Sequence, residues 1–223
     1  MKIGLIGAGR LGICLALLIE QAGYEVLASD VRKDYVTALQ NKETTTTEPD
    51  VDKYLSSATK IEFTTNNFRV IEECDLIFTL VATPSLDDGS YNVSAVHQVV
   101  RDFMESGYDL KGKSLIIGCT TNPGDCDKFQ ESLAEYGVDV YYNPEFIAQG
   151  SIIKDLRYAD MVLIGGNGHH AGILEEIYEK IQDGFKEPSI HFMSTRAAEL
   201  TKIAVNCFLT TKISYANQVG QVM

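Results

Sequence analysis

Short apolar runs alternate along the chain with segments whose apolar residues recur every three or four positions, the pattern of a parallel sheet covered by helices on both faces. Lys2 to Ile6 reads as the first strand and Leu11 to Gln21 as the helix after it, with Gly23 supplying the left-handed position that commonly ends a helix. Glu25 to Ser29 follows as a second strand. Further strands are expected at Leu76 to Val81, Ser114 to Gly118, Val138 to Tyr142 and Met161 to Ile164, joined by right-handed crossovers. Helices are expected over Val93 to Glu105, Asp125 to Tyr136 and Ala171 to Ile181, the last from the spacing of Ile173, Leu174, Ile177 and Ile181. Asn41 to Glu48, with its run of threonines, lacks periodicity and reads as a loop. Pro188 punctuates the chain, and a final helix from about Thr195 continues without a stop signal, as expected of a chain cut within a helix. The expected fold class is α/β, a Rossmann-like doubly wound, mostly parallel sheet followed by the start of a long helix.

The first turn of this pattern carries chemistry. Gly7, Ala8, Gly9, Arg10, Leu11 and Gly12 leave the first strand and open the first helix. Gly7 permits the tight turn, Gly9 lets the backbone approach a pyrophosphate, and Gly12 allows the helix to pack closely on the strand. Amides bared at the helix start then bind phosphate. Asp30 ends the second strand, where a carboxylate accepts ribose hydroxyls and repels a 2′-phosphate, favouring NAD over NADP. Arg32 and Lys33 lie beside it, and a cation there can accommodate that phosphate.

Composition narrows the partners. The 223 residues include 45% hydrophobic types and carry a net charge of -12, enough for a sizeable core and unsuited to a general nucleic-acid or anionic-membrane surface. The longest apolar run, Ile13 to Ile19, is far too short to span a bilayer, and the start lacks a signal-peptide pattern, so the expected compartment is the cytoplasm. The cysteines Cys14, Cys74, Cys119, Cys126 and Cys207 are scattered, and His169 and His170 are adjacent, so neither a disulfide framework nor a metal site is expected.

Further candidates lie at the carboxyl edge of the sheet, where open α/β sheets bind ligands. Thr83 and Pro84 begin a polar turn running to Gly89. Thr120 and Glu145 follow two later strands, where a hydroxyl and a carboxylate could position a water or take its proton; Glu145 also suits a helix start. In the last helix Glu199, Lys202, Asn206, Thr210 and Asn217 share one stripe, while Leu200, Ile203, Ala204, Cys207, Phe208 and Leu209 make the rest apolar enough to expect burial. Lys202 and Asn206, one turn apart, could stabilise an oxyanion, form an internal ion pair or line an exposed face.

Together these residues resemble the amino-terminal part of the UDP-glucose/GDP-mannose dehydrogenase family, from Met1 to about Asn217. The resemblance rests on the glycine loop and Asp30, Glu48-Pro49, Thr83-Pro84 with Asp88-Gly89, and Thr120 with Pro123-Gly124. Its most specific piece is Asn143-Pro144-Glu145-Phe146-Ile147-Ala148-Gln149-Gly150 with Lys154-Asp155, followed by Ala198 to Lys202, Asn206, Phe208, Lys212 to Ser214 and Asn217. It implies NAD-dependent oxidation of a nucleotide sugar's C6 alcohol to a carboxylate, with two NAD reduced. Thr83, Pro84, Thr120 and Glu145 would then meet the cofactor along with Gly7, Gly9, Arg10, Leu11, Gly12, Asp30 and Lys33. Lys202 and Asn206 would stabilise oxygen charge, Glu145 and Thr120 would manage the hydrolytic water, and Phe146, Ile147, Ala148, Gln149 and Gly150 would lie against the sugar nucleotide with Lys202 and Asn206. UDP-glucose is the nearest substrate match, and a homodimer built on the last helix is implied.

The same resemblance implies an NAD-binding domain over 1–190 and the start of a connecting helix over 191–223. The family's cysteine nucleophile and sugar-nucleotide domain belong to later segments, so this chain is expected to bind cofactor and not to complete the reaction alone. Asn122 and Asp125 depart from the family pattern in the Thr120 loop. Two other readings fit the Rossmann start, a stand-alone dinucleotide-binding module and a 3-hydroxyacid or 6-phosphogluconate-type dehydrogenase.

Overall fold

The computed structural model describes residues 1–44, 46–185 and 187–222. Strand β1 (Lys2–Ile6), helix α1 (Arg10–Gln21) and strand β2 (Glu25–Ser29) form the opening unit. They are followed by α2 (Lys33–Gln40), α3 (Val51–Ser57), β3 (Ile61–Thr64), α4 (Asn67–Glu73), β4 (Leu76–Thr79) and α5 (Ser94–Glu105). The second half contains β5 (Ser114–Ile117), α6 (Asp125–Leu133) with a 3-10 turn at Ala134–Tyr136, β6 (Asp139–Tyr142), α7 (Ile152–Arg157), β7 (Val162–Gly165), α8 (Ala171–Gln182), β8 (Ile190–Met193) and α9 (Thr195–Val222).

One sheet runs β3-β2-β1-β4-β5-β6-β7-β8. The strands from β3 to β6 are parallel, β7 meets β6 antiparallel at Tyr142 and Gly165, and β8 runs parallel to β7. Side-chain alternation splits the core. Ile3 and Leu5 of β1 face the side packed by Ile13 and Leu17 of α1, while Ile6 and Ile77 join Val70, Val96 and Phe129 on the other. Burial on both faces explains why β4 and β5 read as continuous apolar runs. The strand order reverses between β1 and β4, which opens a crevice beyond their carboxyl ends.

Four helices and two strands add to the expected pattern, namely α2, α3, α4, α7, β3 and β8. Each is eight residues or shorter, below the length at which periodicity separates helix from strand from turn. Strand β8 crosses the expected boundary between 190 and 191. The described part of Asn41 to Glu48 is irregular as expected, and Thr45 within it, like Met223 at the end of the expected last helix, lies outside the described residues. Helix α9 departs from the expected burial. Ala198 and Glu199 are fully buried, whereas Leu200 is 53% and Phe208 66% exposed, because only the first turns pack on the sheet and α6. No helix among the described residues is long and apolar enough to cross a membrane.

Candidate functional site

The glycine loop is fixed by sterics. Gly7 has φ +97°, which side chains rarely adopt, and an added Cβ would meet the Leu80 carbonyl oxygen. At Gly12 an added Cβ would fall on the Gly7 carbonyl oxygen, so α1 starts hard against β1. Gly9 faces open space, its nearest neighbour to an added Cβ being Arg32 Nη2 at 4.0 Å. The Gly7 and Ala8 amides are bonded to the Ser29 carbonyl, and among the described residues no side chain caps the start of α1, where Arg10, Leu11 and Gly12 present their amides. Amides so placed carry a partial positive charge and could cradle a phosphate.

Beside the cradle lies a cleft of about 520 Å³, lined by Gly7, Gly9 and Asp30 and walled by Val31, Leu80 and Val81. Asp30 is nearly buried at the end of β2. Arg32 grips its two oxygens through Nε at 2.8 Å and Nη2 at 2.9 Å, and its guanidinium lies over the Tyr35 ring. Burial alone would push the Asp30 carboxyl up, but these bonds outweigh it and hold the carboxyl below its ordinary value. Ionised, it keeps lone pairs for ribose hydroxyls. Lys33 opens α2 as an exposed residue beyond this clamp. Main-chain cradle, acidic rim and apolar cleft together fit a dinucleotide, with the diphosphate on the amides and a ribose at Asp30.

The other candidates gather on the same edge. Thr83 is half-buried and Pro84 exposed in the loop after β4, Thr120 is half-buried after β5, and Glu145 is half-buried after β6. Asn122, atypical for this loop, joins two of these segments by accepting from the Tyr91 amide at 2.8 Å and donating to the Tyr91 carbonyl at 3.0 Å. Asp125, the other atypical residue, orients Asn122 by accepting from its side-chain amide at 2.8 Å. Glu199, fully buried at the start of α9, accepts from Thr121 Oγ1 and from the Gly124 and Cys126 amides, which fastens the Thr120 loop to that helix.

Phe146 and Ile147 are half-buried, and Ala148, Gln149 and Gly150 exposed. Their loop is shaped from below. Gly150 has φ +93° and donates its amide to the buried Glu48, while Asp155 accepts from the Ala148 amide and Ser151 Oγ. From above, Arg10 Nη1 of the glycine loop donates to Gln149 Oε1 at 2.9 Å. Cofactor loop and candidate substrate loop therefore touch directly.

Lys202 Nζ donates to the Glu145 backbone carbonyl and lies 4.7 Å from the centre of the Phe146 ring. Burial lowers the Lys202 ammonium against the pull of Glu145. Burial pushes Glu145 up to about 7, against the lowering influence of Tyr178 and Lys202. The pair thus presents a cation and a carboxyl poised near neutrality, suited to proton transfer. Asn206 is half-buried one turn beyond Lys202, while Thr210 and Asn217 on the expected stripe are exposed. Burial raises the thiols of Cys14, Cys74 and Cys119 to about 12, and Cys126 higher still, which disfavours thiolate at all of them. His169 points its ring nitrogens at Asp139 and the Gly112 carbonyl.

Three contributors escaped the sequence reading of roles. Tyr178, expected only as part of a covering helix, places its hydroxyl within hydrogen-bond reach of both Asn143 and Glu145, and Glu48 and Asp155 brace the loop that follows. Glu48 lies 102 residues from Gly150, a separation that no local pattern reports.

Comparison with known proteins shows the family. The NAD-binding domain model of the UDP-glucose/GDP-mannose dehydrogenase family matches residues 1–182. A UDP-glucose 6-dehydrogenase of Rhizobium meliloti is 28% identical over 234 residues, which cover 100% of this chain and 52% of that protein. A putative UDP-glucose 6-dehydrogenase of Bacillus subtilis is 28% identical with the same coverage. The structure of a UDP-glucose dehydrogenase from the archaeon Pyrobaculum islandicum superposes with a TM-score of 0.89 at 27% identity, covering 98% of this chain and 52% of that one. The chain spans about half the length of these relatives. With the family model matched over residues 1–182, the chain belongs to the UDP-glucose/GDP-mannose dehydrogenase family and carries its NAD-binding domain.

Proposed function

We propose that this chain is the cofactor-binding portion of a nucleotide-sugar 6-dehydrogenase, and that the sugar nucleotide is UDP-glucose. The carrying observation is the Arg10 to Gln149 hydrogen bond, which sets the loop bearing Glu145 against the dinucleotide cradle. The choice of sugar draws on Asn143 to Asp155 and on the substrate named for relatives aligned across the whole chain. Bound NAD would supply a two-electron hydride acceptor. The chain's own residues would hold it through the amides of Arg10, Leu11 and Gly12 together with Asp30, with Lys33, Thr83 and Pro84 along its path.

Around the reacting carbon, Lys202 and Asn206 would stabilise developing oxygen charge, and Thr120 and Glu145 would orient and deprotonate water. Phe146 to Gly150 would lie against the sugar nucleotide. Cys14, Cys74, Cys119 and Cys126 are buried with raised thiols, and Cys207 is exposed on α9; we assign covalent capture of an aldehyde to residues outside these 223 and expect the chain alone to be inactive. We assign 1–190 to the NAD-binding domain and 191–223 to the start of a connecting helix. The exposed Leu200, Phe208, Leu209, Ile213 and Tyr215 of α9 would form a homodimer surface in the whole protein, acting in the cytoplasm where nucleotide cosubstrates are found.

The test is turnover by the whole protein with UDP-glucose, UDP-N-acetylmannosamine or GDP-mannose as sole sugar nucleotide. The expected result is fastest NADH formation with UDP-glucose, ending at about two NADH per sugar, the electron count for alcohol to carboxylate. One NADH per sugar, or preference for another nucleotide sugar, overturns the corresponding part of the proposal.

A further inference from the structure

Glu145, Tyr178 and Asn143 meet where the end of β6 packs on α8, and counting hydrogens decides how they are bonded. The Tyr178 hydroxyl oxygen lies 2.5 Å from Asn143 Oδ1 and 2.8 Å from Glu145 Oε1. Asn143 is 1% exposed, and its Nδ2 donates at 2.9 Å to the Leu163 carbonyl, which can only accept. The amide therefore cannot turn over, and its oxygen must face Tyr178. Two contacts between oxygens need two hydrogens, and Tyr178 owns one. Burial keeps the Tyr178 phenol protonated well above its ordinary range. The second hydrogen has one source, the Glu145 carboxyl.

We infer that Tyr178 is a positioning residue that gives its hydrogen to Asn143, receives that of Glu145, and so holds Glu145 as the neutral acid until deprotonation breaks the Tyr178 to Asn143 bond. When the proton leaves, the Tyr178 hydrogen swings to the new carboxylate and the Asn143 oxygen is left buried without a donor. Asn143 thereby raises the pH at which Glu145 becomes a base, acting through the Tyr178 hydroxyl. Among the described residues, the titratable groups facing that carboxyl are Tyr178 from α8 and Lys202 from α9. The ammonium opposes the latch, and burial favours it. The inference rests on the proposed role of Glu145 in handling water, but its test reads protonation and not turnover, so either can fail alone.

Isotope-edited NMR of the glutamate carboxyl carbons, assigned with Glu145→Gln, follows the titration of Glu145 in this chain. Asn143→Ala removes the competitor for the Tyr178 hydrogen and is expected to lower the Glu145 midpoint by about one pH unit, roughly tenfold in the ratio of carboxylate to acid. In a Tyr178→Phe background the same substitution is expected to leave the midpoint unchanged, because the coupling runs through the hydroxyl. An unchanged midpoint in the first case, or an equal drop in both, overturns the inference. Should Asn143→Ala fail to fold, neutron diffraction of the unaltered protein at about pH 6 decides the matter. A deuteron on Glu145 with the Tyr178 deuteron aimed at Asn143 supports the latch, and a bare carboxylate accepting from Tyr178 refutes it.

Discussion

Gly12→Ala is expected to abolish measurable NAD binding and to destabilise the chain by about 3 kcal/mol. The added methyl has nowhere to go, because it would fall on the Gly7 carbonyl oxygen. Either α1 tilts off β1 or Gly7 leaves its turn, and both displace the amides that would meet the diphosphate. Losing two charge-assisted bonds of that kind costs on the order of 100-fold in affinity. Gly23→Ala is the control. Gly23 has φ +98°, yet nothing lies within 4 Å of an added Cβ, so only backbone strain is introduced. About 1 kcal/mol of stability should be lost with NAD affinity unchanged. Denaturant unfolding and calorimetric titration of both variants separate the two effects, and wild-type NAD affinity in Gly12→Ala would refute this account of the loop.

The second large effect has the opposite sign, since Glu145→Gln is expected to stabilise the chain at pH 8 by about 2 kcal/mol. The folded carboxyl titrates at about 7, above the ordinary 4.5 of the unfolded chain. The native state therefore binds the proton more tightly, and the stability this confers is complete below pH 4.5 and lost as pH rises to about 7. Glutamine removes the buried charge while keeping hydrogens for Tyr178. The gain should shrink to under half near pH 5.5, where the wild-type residue is protonated when folded. A substitution that costs stability at pH 8, or a gain independent of pH, would show that the Glu145 carboxylate is well solvated. A carboxyl whose charge opposes folding is the kind of local conflict expected where function sets the residue.

What was legible in the sequence was what sterics and local periodicity dictate. Gly7 and Gly12 were legible because a turn and a helix contact each exclude a side chain there, and the place of Asp30 at the end of β2 followed from the strand pattern. The strands of the central sheet were equally readable, since β1, β4 and β5 are short, apolar and bounded by turns. Illegible were elements such as β3 and α7, too short to show a period, and partnerships across long stretches of chain. Tyr178 sits within the helix that Ile173, Leu174, Ile177 and Ile181 mark out, and nothing local reveals that its hydroxyl reaches Glu145. Glu48 clamping Gly150 is of the same kind. The apolar arc of α9 was read as buried, but an amphipathic pattern reports a face and not what covers it.

The central claim is that main-chain amides at the start of α1 hold a dinucleotide whose ribose rests on Asp30. Isothermal titration of the chain with NAD and with NADP tests it most directly. The account predicts saturable heat with NAD at one site per chain and weaker binding of NADP, whose added phosphate meets the Asp30 carboxylate in spite of Arg32. No heat with either coenzyme, together with an unchanged melting temperature where about 2.7 kcal/mol of stabilisation is expected at a hundredfold excess over Kd, would contradict it.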